Sequence, residues 1–327
     1  MKHITIVVPN GHNNLSSIVG CYKILSRANQ YYGEENLYKI ELAGTSDTVD
    51  FYDGLFSVRP HTHISAIGKT GLVIIPSLNH NYEEAIAENV ELIEWIGNQY
   101  KNGAEIASVC TGAYLLATTG LLDGRNCSTH WVAADDFRAR FPKVKLQPDK
   151  LITDENGIYT NGGAYSFLNL VLYLVEKYFD KQTAIYCSKV FQIEMDRQSQ
   201  SGFIIFKGQK QHGDEMVREA QEYIECNMHN KISFEQLSAQ FAVGRRNFDR
   251  RFIKATGNTP LEYMQRVRIE TAKRAFETTR KNVNEVMYEV GYSDIKAFRD
   301  VFRKITGMSP LEYRDKYKKD SLNAVKI

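Results

Sequence analysis

The sequence predicts an α/β domain, a parallel sheet covered by helices on both faces, followed by an all-α domain built from two helix-turn-helix units. Three observations predict it. Through about residue 205, nearly all-apolar runs alternate with helical patterns, and strands of that kind are buried on both faces of a parallel sheet. Near the other end a twelve-residue stretch occurs twice, Phe252 to Tyr263 (FIKATGNTPLEY) and Phe302 to Tyr313 (FRKITGMSPLEY), with eight of twelve positions identical. Finally, 327 residues exceed the size at which one core usually serves, so two domains are expected, 1–205 and 206–327.

Taken in order, ITIVV (residues 4–8) reads as a first buried strand, and a helix follows over about 15–31. LYKIELAG and GLVIIP are further strands, and a helix is expected over about 82–101. EIASV leads into a helix-like TGAYLLATTG, and the hairpin-like KLITDENGIYTNGG opens onto a helix from Tyr165 to Phe179. In sheets of this kind ligands bind beyond the carboxyl ends of the strands. Pro9-Asn10, Pro76-Ser77 and Cys110 stand at such ends.

Each copy of the C-terminal repeat reads as helix, turn, helix. In the first, Ser233 and Gln236 form a capping pair, FAVG turns the chain, and a second helix runs from Arg245 to Thr256. Phe248 and Phe252 share one face of it, while Arg245, Arg246, Asn247, Asp249 and Arg250 occupy the others. Gly257 stops the helix and Pro260 starts the next, which runs to Thr278. In the second copy Asn282 and Glu285 are the capping pair, Gly291 makes the turn, and Ser293 caps a helix. Phe298, Val301, Phe302 and Ile305 are that helix's buried stripe, with Lys296, Arg299, Asp300, Arg303 and Lys304 facing away. Two units of this layout, joined by a helix ~28 Å long, match the ~34 Å between successive major grooves on one face of a duplex.

Charge agrees with that reading. From Gly244 to Ile327 there are 20 Lys and Arg against 11 Asp and Glu, a surplus of nine, although the whole chain carries only +2. A basic module attached to a mildly acidic body is suited to a polyanion. The five cysteines are scattered and no CxxC occurs, which suits reduced cytoplasmic thiols and argues against a disulfide framework or a zinc site. No apolar run reaches the ~18 residues needed to span a bilayer, and no cleavage site follows the first strand.

Residues from about 214 to 318 resemble the DNA-binding domain of AraC/XylS-type transcription regulators, through LSAQFAVGRRNFDRRFIKATGNTPLEYMQRVRIETAKRAF and VMYEVGYSDIKAFRDVFRKITGMSPLEYR. The resemblance implies seven helices, two of them reading helices, with double-stranded DNA and RNA polymerase as partners. It places base reading on Arg246, Asp249 and Arg250 in the first unit, and on Ile295, Lys296 and Asp300 in the second. Arg245, Arg251, Arg299 and Lys304 are assigned to phosphates. Asp300 departs from the basic residue usual there, so it is expected to accept from cytosine or to orient Arg303.

Residues 3 to 205 resemble the PfpI-type, class I glutamine-amidotransferase-like domain, a flavodoxin-like sandwich, in the version that precedes an AraC-type module in GlxA-type regulators. ASVCTGAYLLATTGLLDG, CSTHW, YTNGG and RQSQSGF carry the match. It implies a homodimer and a small effector, an amino-acid derivative or quaternary amine, bound by Asn10, Pro76, Ser77, Cys110, Thr111, His130 and Trp131, with no cofactor. Two other classes stay open. One is a thiol hydrolase with Cys110 as nucleophile and His130 as base; the other is a regulator that senses oxidation at Cys110. A hydrolase needs an acid to orient the base, and the expected places carry Asn13, Asn14, Ser17 and Asn169, with Asp135 and Asp136 on a helix after His130. Ser108 stands where many nucleophile elbows have glycine, which predicts a relaxed elbow.

Overall fold

The computed structural model describes residues 2–33, 37–195, 199–210 and 212–317, in two compact units, Met1–Gln200 and Ser201–Ile327. Arg197 and Gln198 of the RQSQSGF motif, and Lys318 at the end of the helical resemblance, lie outside the described residues.

The first unit opens with β1 (Lys2–Val8), α1 (Leu15–Tyr32) and β2 (Tyr38–Gly44), then a small hairpin, β3 (Val49–Phe51) and β4 (Phe56–Val58), and a short edge strand, β5 (Thr62–His63). β6 (Leu72–Ile75), α2 (Tyr82–Glu88), α3 (Val90–Lys101), β7 (Glu105–Ser108) and α4 (Ala113–Thr118) follow. The unit closes with β8 (Asn126–Cys127), α5 (Ala134–Arg140), β9 (Lys145–Leu146), β10 (Ile152–Glu155), β11 (Ile158–Asn161), α6 (Phe167–Tyr178) and α7 (Lys181–Phe191). Seven strands form one sheet in the order β10-β11-β7-β6-β1-β2-β5, parallel throughout except for β10, which turns back on β11. That turn is Asn156-Gly157, both in the left-handed region, as a two-residue hairpin requires.

Alternation along each strand sorts side chains between two cores. Ile4, Ile6, Val8, Leu72 and Ile74 pack beneath α1, α6 and α7, while Val7, Val73, Ile75 and Ile106 pack against α3, α4 and α5. Both faces are therefore dry, which explains the uninterrupted apolar runs. Three features depart from the sequence expectation. The helix expected over 82–101 breaks at Asn89, whose side-chain amide donates to the carbonyls of Ala85 (2.7 Å) and Asn10 (3.1 Å) and whose oxygen accepts from Asn10 N–H (2.8 Å). α6 begins two residues late, leaving Tyr165 exposed. α7 has no counterpart in the sequence reading, although Asp180 caps it by accepting from Thr183 N–H at 2.6 Å.

The second unit contains, among the described residues, a 3-10 turn at Ser201–Phe203 and seven α-helices: α8 (Glu215–Cys226), α9 (Phe234–Gln240), α10 (Arg245–Thr256), α11 (Pro260–Thr278), α12 (Val283–Glu289), α13 (Ile295–Thr306) and α14 (Pro310–Tyr317). The long helix α11 serves two cores. Tyr263 and Met264 near its start join Val217, Ile224, Leu237, Phe248 and Phe252; Ile269, Ala272 and Phe276 further along join Val286, Phe298, Phe302 and Tyr313.

The repeated TGxxPLEY performs the same tasks twice. Thr256 and Thr306 turn their hydroxyls back to the carbonyls of Phe252 and Phe302, both at 2.8 Å, and Gly257 and Gly307 end the helices in the left-handed region. Pro260 and Pro310 start the next helices, and Glu262 and Glu312 reach back to the N–H groups of Thr259 (2.9 Å) and Ser309 (2.7 Å). Tyr263 and Tyr313 are buried, with hydroxyls donating to Glu225 and Glu277. One cap differs from expectation. Asp294, not Ser293, caps α13, because a carboxylate oxygen accepts from Ala297 N–H at 2.6 Å.

Candidate functional site

In the first unit the chain runs from β1 outward to β2 and then returns to β6 on the other side of β1, so the sheet changes direction between β1 and β6. Ligand crevices in open parallel sheets form outside the carboxyl ends of strands at such a point. Here the loops after β1 and β6 are laced together: Asn14 N–H donates to Ser77 O (2.8 Å), Asn79 N–H to His12 O (2.8 Å), and Ser77 N–H to the Ser17 hydroxyl (3.1 Å).

Beside this lies the elbow after β7. Cys110 has φ +53°, the strained conformation of a residue thrust out of a strand-to-helix turn, so Ser108 has not relaxed it. Cys110–Gly112 form a 3-10 turn, and the α-helix proper begins only at Ala113. Gly112 is required by crowding: a Cβ there would lie 2.4 Å from Pro76 O and 2.9 Å from Ile75 O.

Ser77, Cys110 and Thr111 are brought together and buried, with His130 half-buried beside them. The Thr111 hydroxyl donates to Leu78 O (2.7 Å) and lies 2.9 Å from the Ser77 hydroxyl, and the Thr129 hydroxyl donates to Cys110 O (2.9 Å). Burial pushes the Cys110 thiol up, offset in part by hydrogen bonds from Ser77, from Thr111 and from the His130 N–H. Burial moves His130 the other way, toward the neutral imidazole. Its Nδ1 accepts from Val132 N–H at 3.1 Å, and Trp131 is half-exposed with its ring 5.6 Å from the imidazole. Both shifts run against formation of a thiolate–imidazolium pair.

Among the described residues no carboxylate bonds to His130. Asp135 binds Arg138 (2.9 Å), Asp136 binds Arg140 (2.9 Å) and accepts from the Tyr114 hydroxyl (2.7 Å), and Asn169 donates to Glu194 O. Asn10 is taken up by Asn89, Thr45 (3.0 Å) and Ser46 (2.8 Å), which fasten the loop after β1. Sequence reasoning missed Tyr82 and Tyr114, stacked at 3.9 Å. Burial, then the nearby Cys110 and Asp136, push Tyr82 up to about 12. Tyr114 stands four residues after the cysteine, and that one-turn spacing was the available signal. Two clefts lie away from the elbow, one of about 400 Å³ between Ser46–Thr48 and Arg59–His63, the other of about 550 Å³ near Lys2, Lys69 and Lys177. Among the described residues no three His, Cys, Asp or Glu side chains are grouped to hold a metal.

This geometry makes a direct prediction for Cys110. Cys21 and Cys127 are pushed up to about 12 by burial, whereas Cys226 is exposed. Iodoacetamide on the native chain near neutral pH should therefore modify Cys226 and leave Cys110 unmodified. Labelling of Cys110 ahead of Cys226, saturating well below the ordinary thiol value of about 8.5, would mean an activated thiolate instead.

The other candidate surface is formed by α10 and α13. The turn before each needs a left-handed residue: Ala242 (φ +53°) before α10 and Gly291 (φ +81°) before α13. Ala242 is exposed, while a Cβ on Gly291 would lie 2.7 Å from His229 O, so only the second turn demands glycine.

The two helices present their charges differently. On α10, Arg245 is tied to Asp249 (2.8 Å) and Glu235 (2.9 Å), and Arg250 donates to Asn247 (2.9 Å). Arg251 grips the Asp214 carboxylate with two donors, at 2.8 and 2.6 Å, fixing the start of α8 and holding that carboxyl below its usual range. Arg246 is exposed and, among the described residues, unpaired. On α13, Lys296, Arg299, Asp300, Arg303 and Lys304 are exposed, none in an ion pair among the described residues, so Asp300 does not hold Arg303. Ile295 is half-buried against the second helical core.

These two folds define a class: an α/β sandwich with a thiol elbow, followed in the chain by a helical unit with two helix-turn-helix motifs. The chain belongs to the DJ-1/PfpI family, whose model matches residues 5–177, and carries a helix-turn-helix domain matched over residues 237–316. It is similar to the HTH-type transcriptional regulator GbdR of Pseudomonas aeruginosa, 25% identical over 68% of this chain and 61% of that protein. CdhR, an HTH-type transcriptional regulator of the same organism, is 23% identical over 92% of this chain and 88% of its own length. The match thus spans about three fifths of the first relative and most of the second. Among solved structures, one titled a putative transcriptional regulator protein from Vibrio parahaemolyticus superposes with TM-score 0.53 at 23% identity, over 58% of this chain and 98% of that one. Drosophila melanogaster DJ-1beta gives 0.50 at 17%, over 59% and 98%. These structural likenesses establish the fold of the first unit. Among the described residues no helix is long and apolar enough to cross a membrane.

Proposed function

We propose that this chain is a sequence-specific, double-stranded-DNA-binding transcription regulator whose α/β unit binds a small effector and does not hydrolyse it. The observation that carries the reading is the duplicated unit: two reading helices with charged outer faces, each ended by a left-handed glycine and packed by two buried phenylalanines, with a 19-residue helix between them. That helix is ~28 Å long, within one side-chain length of the ~34 Å groove repeat. The similarity to the HTH-type transcriptional regulators GbdR and CdhR of Pseudomonas aeruginosa supports the same reading.

Within it the reading helices have distinct roles. Arg246 and Lys296, exposed at matching second positions of α10 and α13, read bases. Arg299, Arg303 and Lys304 meet phosphates. Arg245 and Arg251 are held by carboxylates and shape the first helix-turn-helix. The effector binds beside Ser77, Cys110, Thr111 and His130, where hydroxyls and a neutral imidazole supply hydrogen bonds without a reactive thiolate. It acts by favouring one arrangement of the reading helices over another.

The test is the salt dependence of duplex binding by the full chain. Affinity should fall steeply as salt rises, and Arg299→Ala/Lys304→Ala should flatten the log–log slope by about 2, at ~0.9 per released counterion. An unchanged slope in that variant would remove those residues from the phosphate contacts, and salt-insensitive binding would remove DNA as the ligand.

A further inference from the structure

The cleft of about 400 Å³ lies at the base of the β3–β4 hairpin, wholly within the α/β unit. One wall is Ser46, Asp47 and Thr48, which lead into the hairpin. The other is the run RPHTH, residues 59–63, which leads out of it to the edge strand β5. Arg59, His61 and His63 stand at alternate positions of that run, and all three line the cleft.

The two imidazoles are fixed in the same sense. His61 Nδ1 accepts from Leu42 N–H at 2.9 Å, and the His61 N–H donates to Leu42 O at 2.9 Å, so ring and backbone are both pinned to β2. The ring also stacks on Tyr22, with centroids 5.7 Å apart. His63 Nδ1 accepts from Ser65 N–H at 3.2 Å, and its backbone is paired with Gly44 at the sheet edge. An amide N–H only donates, so Nδ1 of each ring is unprotonated and the proton of the neutral imidazole sits on Nε2. Each ring therefore keeps one N–H donor that its anchor does not use.

Arg59 adds a third donor group and a full positive charge. It is exposed and, among the described residues, makes no hydrogen bond or ion pair. Charged and fixed donors of this kind suit an oxyanion, and a guanidinium matches the two oxygens of a carboxylate. Asp47 on the facing wall is exposed and likewise unpaired among the described residues, and it limits the choice. With one guanidinium, one carboxylate and two neutral rings, the cleft has no surplus positive charge to hold a dianion. A single carboxylate can take Arg59 and leave Asp47 to accept from a hydroxyl on the same molecule. The Ser46 hydroxyl is already engaged with Asn10 Oδ1 at 2.8 Å, which steadies that wall.

We propose that this cleft binds a small hydroxycarboxylate, its carboxylate held by Arg59 and by the Nε2–H groups of His61 and His63, and its hydroxyl by Asp47. The occupant bridges the two ends of the hairpin. The site is separate from the crevice beside Cys110 and does not rest on the DNA-binding reading.

Lactate titrated into the full-length chain, followed through the nitrogen-15 resonances of its histidines, tests this. Saturable shifts at both His61 and His63 with a common midpoint near ~1 mM are expected, an ordinary affinity for so few atoms. Arg59→Ala breaks no bond of the free chain and should weaken binding by about 10-fold or more, the loss of a charged hydrogen bond. Lys69→Ala, at the other cleft, should leave the midpoint unchanged. Acetate, which lacks the hydroxyl, should bind more weakly than lactate, and Asp47→Ala should erase that difference. Equal weakening by Arg59→Ala and Lys69→Ala would mean diffuse attraction of anions to basic surface, and tighter binding of inorganic phosphate than of lactate would mean a dianion site. Either result overturns the proposal, as does the lack of a saturable shift at either imidazole.

Discussion

The Arg246→Ala/Lys296→Ala double variant is expected to bind a duplex containing the region upstream of its own coding sequence ~100-fold or more weakly than the parent at fixed salt, because two proposed base contacts worth about 1–3 kcal/mol each would be lost. Both side chains are exposed and unpaired among the described residues, so their removal leaves no buried charge and the fold intact. The loss is therefore expected in binding and not in melting temperature. It should also be confined to the specific sequence, with affinity for unrelated duplex changing far less, since phosphate contacts through Arg299, Arg303 and Lys304 remain. Asp249→Ala is the instructive contrast. Asp249 is bonded to Arg245, and its removal frees that guanidinium without removing a reading arm. Gel shifts on specific and unrelated duplex, with each variant's melt recorded alongside, separate these outcomes. Parental specific affinity in the double variant would reassign the reading residues.

The second large effect is on the α/β unit. Gly112→Ala is expected to destabilise it by about 3 kcal/mol, the upper end of ordinary overpacking, lowering its melting midpoint by about 6–12 °C for a domain of this size. The new methyl would meet two main-chain carbonyls, those of Pro76 and Ile75, at 2.4 and 2.9 Å. Neither can give way without moving β6 or the Pro76–Ser77 turn, and with it the bonds from Asn14 and Ser17. Gly244→Ala is the control, because nothing lies within 4 Å of a Cβ there and its φ is ordinary. Thermal melts of the full chain, followed by a probe of each unit, distinguish the two. Equal melts for Gly112→Ala and the parent would mean that the elbow is not crowded as described.

Much of this was legible in the residues because it depends on local rules. Continuous apolar runs separated by helical patterns gave the two-faced sheet, and caps such as Asn282 with Glu285, or Thr-Gly and Pro-Leu-Glu, depend on neighbours within four positions. The break at Asn89 was not legible, since its amide bonds to Asn10, 79 residues away. Asp294 displaced Ser293 as a cap because two capping residues adjoin and sequence pattern alone does not choose between them. At the candidate sites the limit was of the same kind. A basic helix face reads alike whether its arginines are free or held. Arg251 is engaged by Asp214, 37 residues earlier, and Arg245 by Glu235 on the preceding helix. The elbow was recognisable as a shape, but the proton balance around Cys110 depends on burial and on donors from three separate loops.

The central claim is that one chain reads two successive major-groove segments. Methylation interference at guanine N7, on duplex shifted by the full-length chain, tests it most directly. Two clusters of interference are predicted on one face of the duplex, centred about 10 base pairs apart, with Arg246→Ala weakening one cluster and Lys296→Ala the other. A single cluster sensitive to only one of the two substitutions, or two clusters on opposite faces, would contradict it.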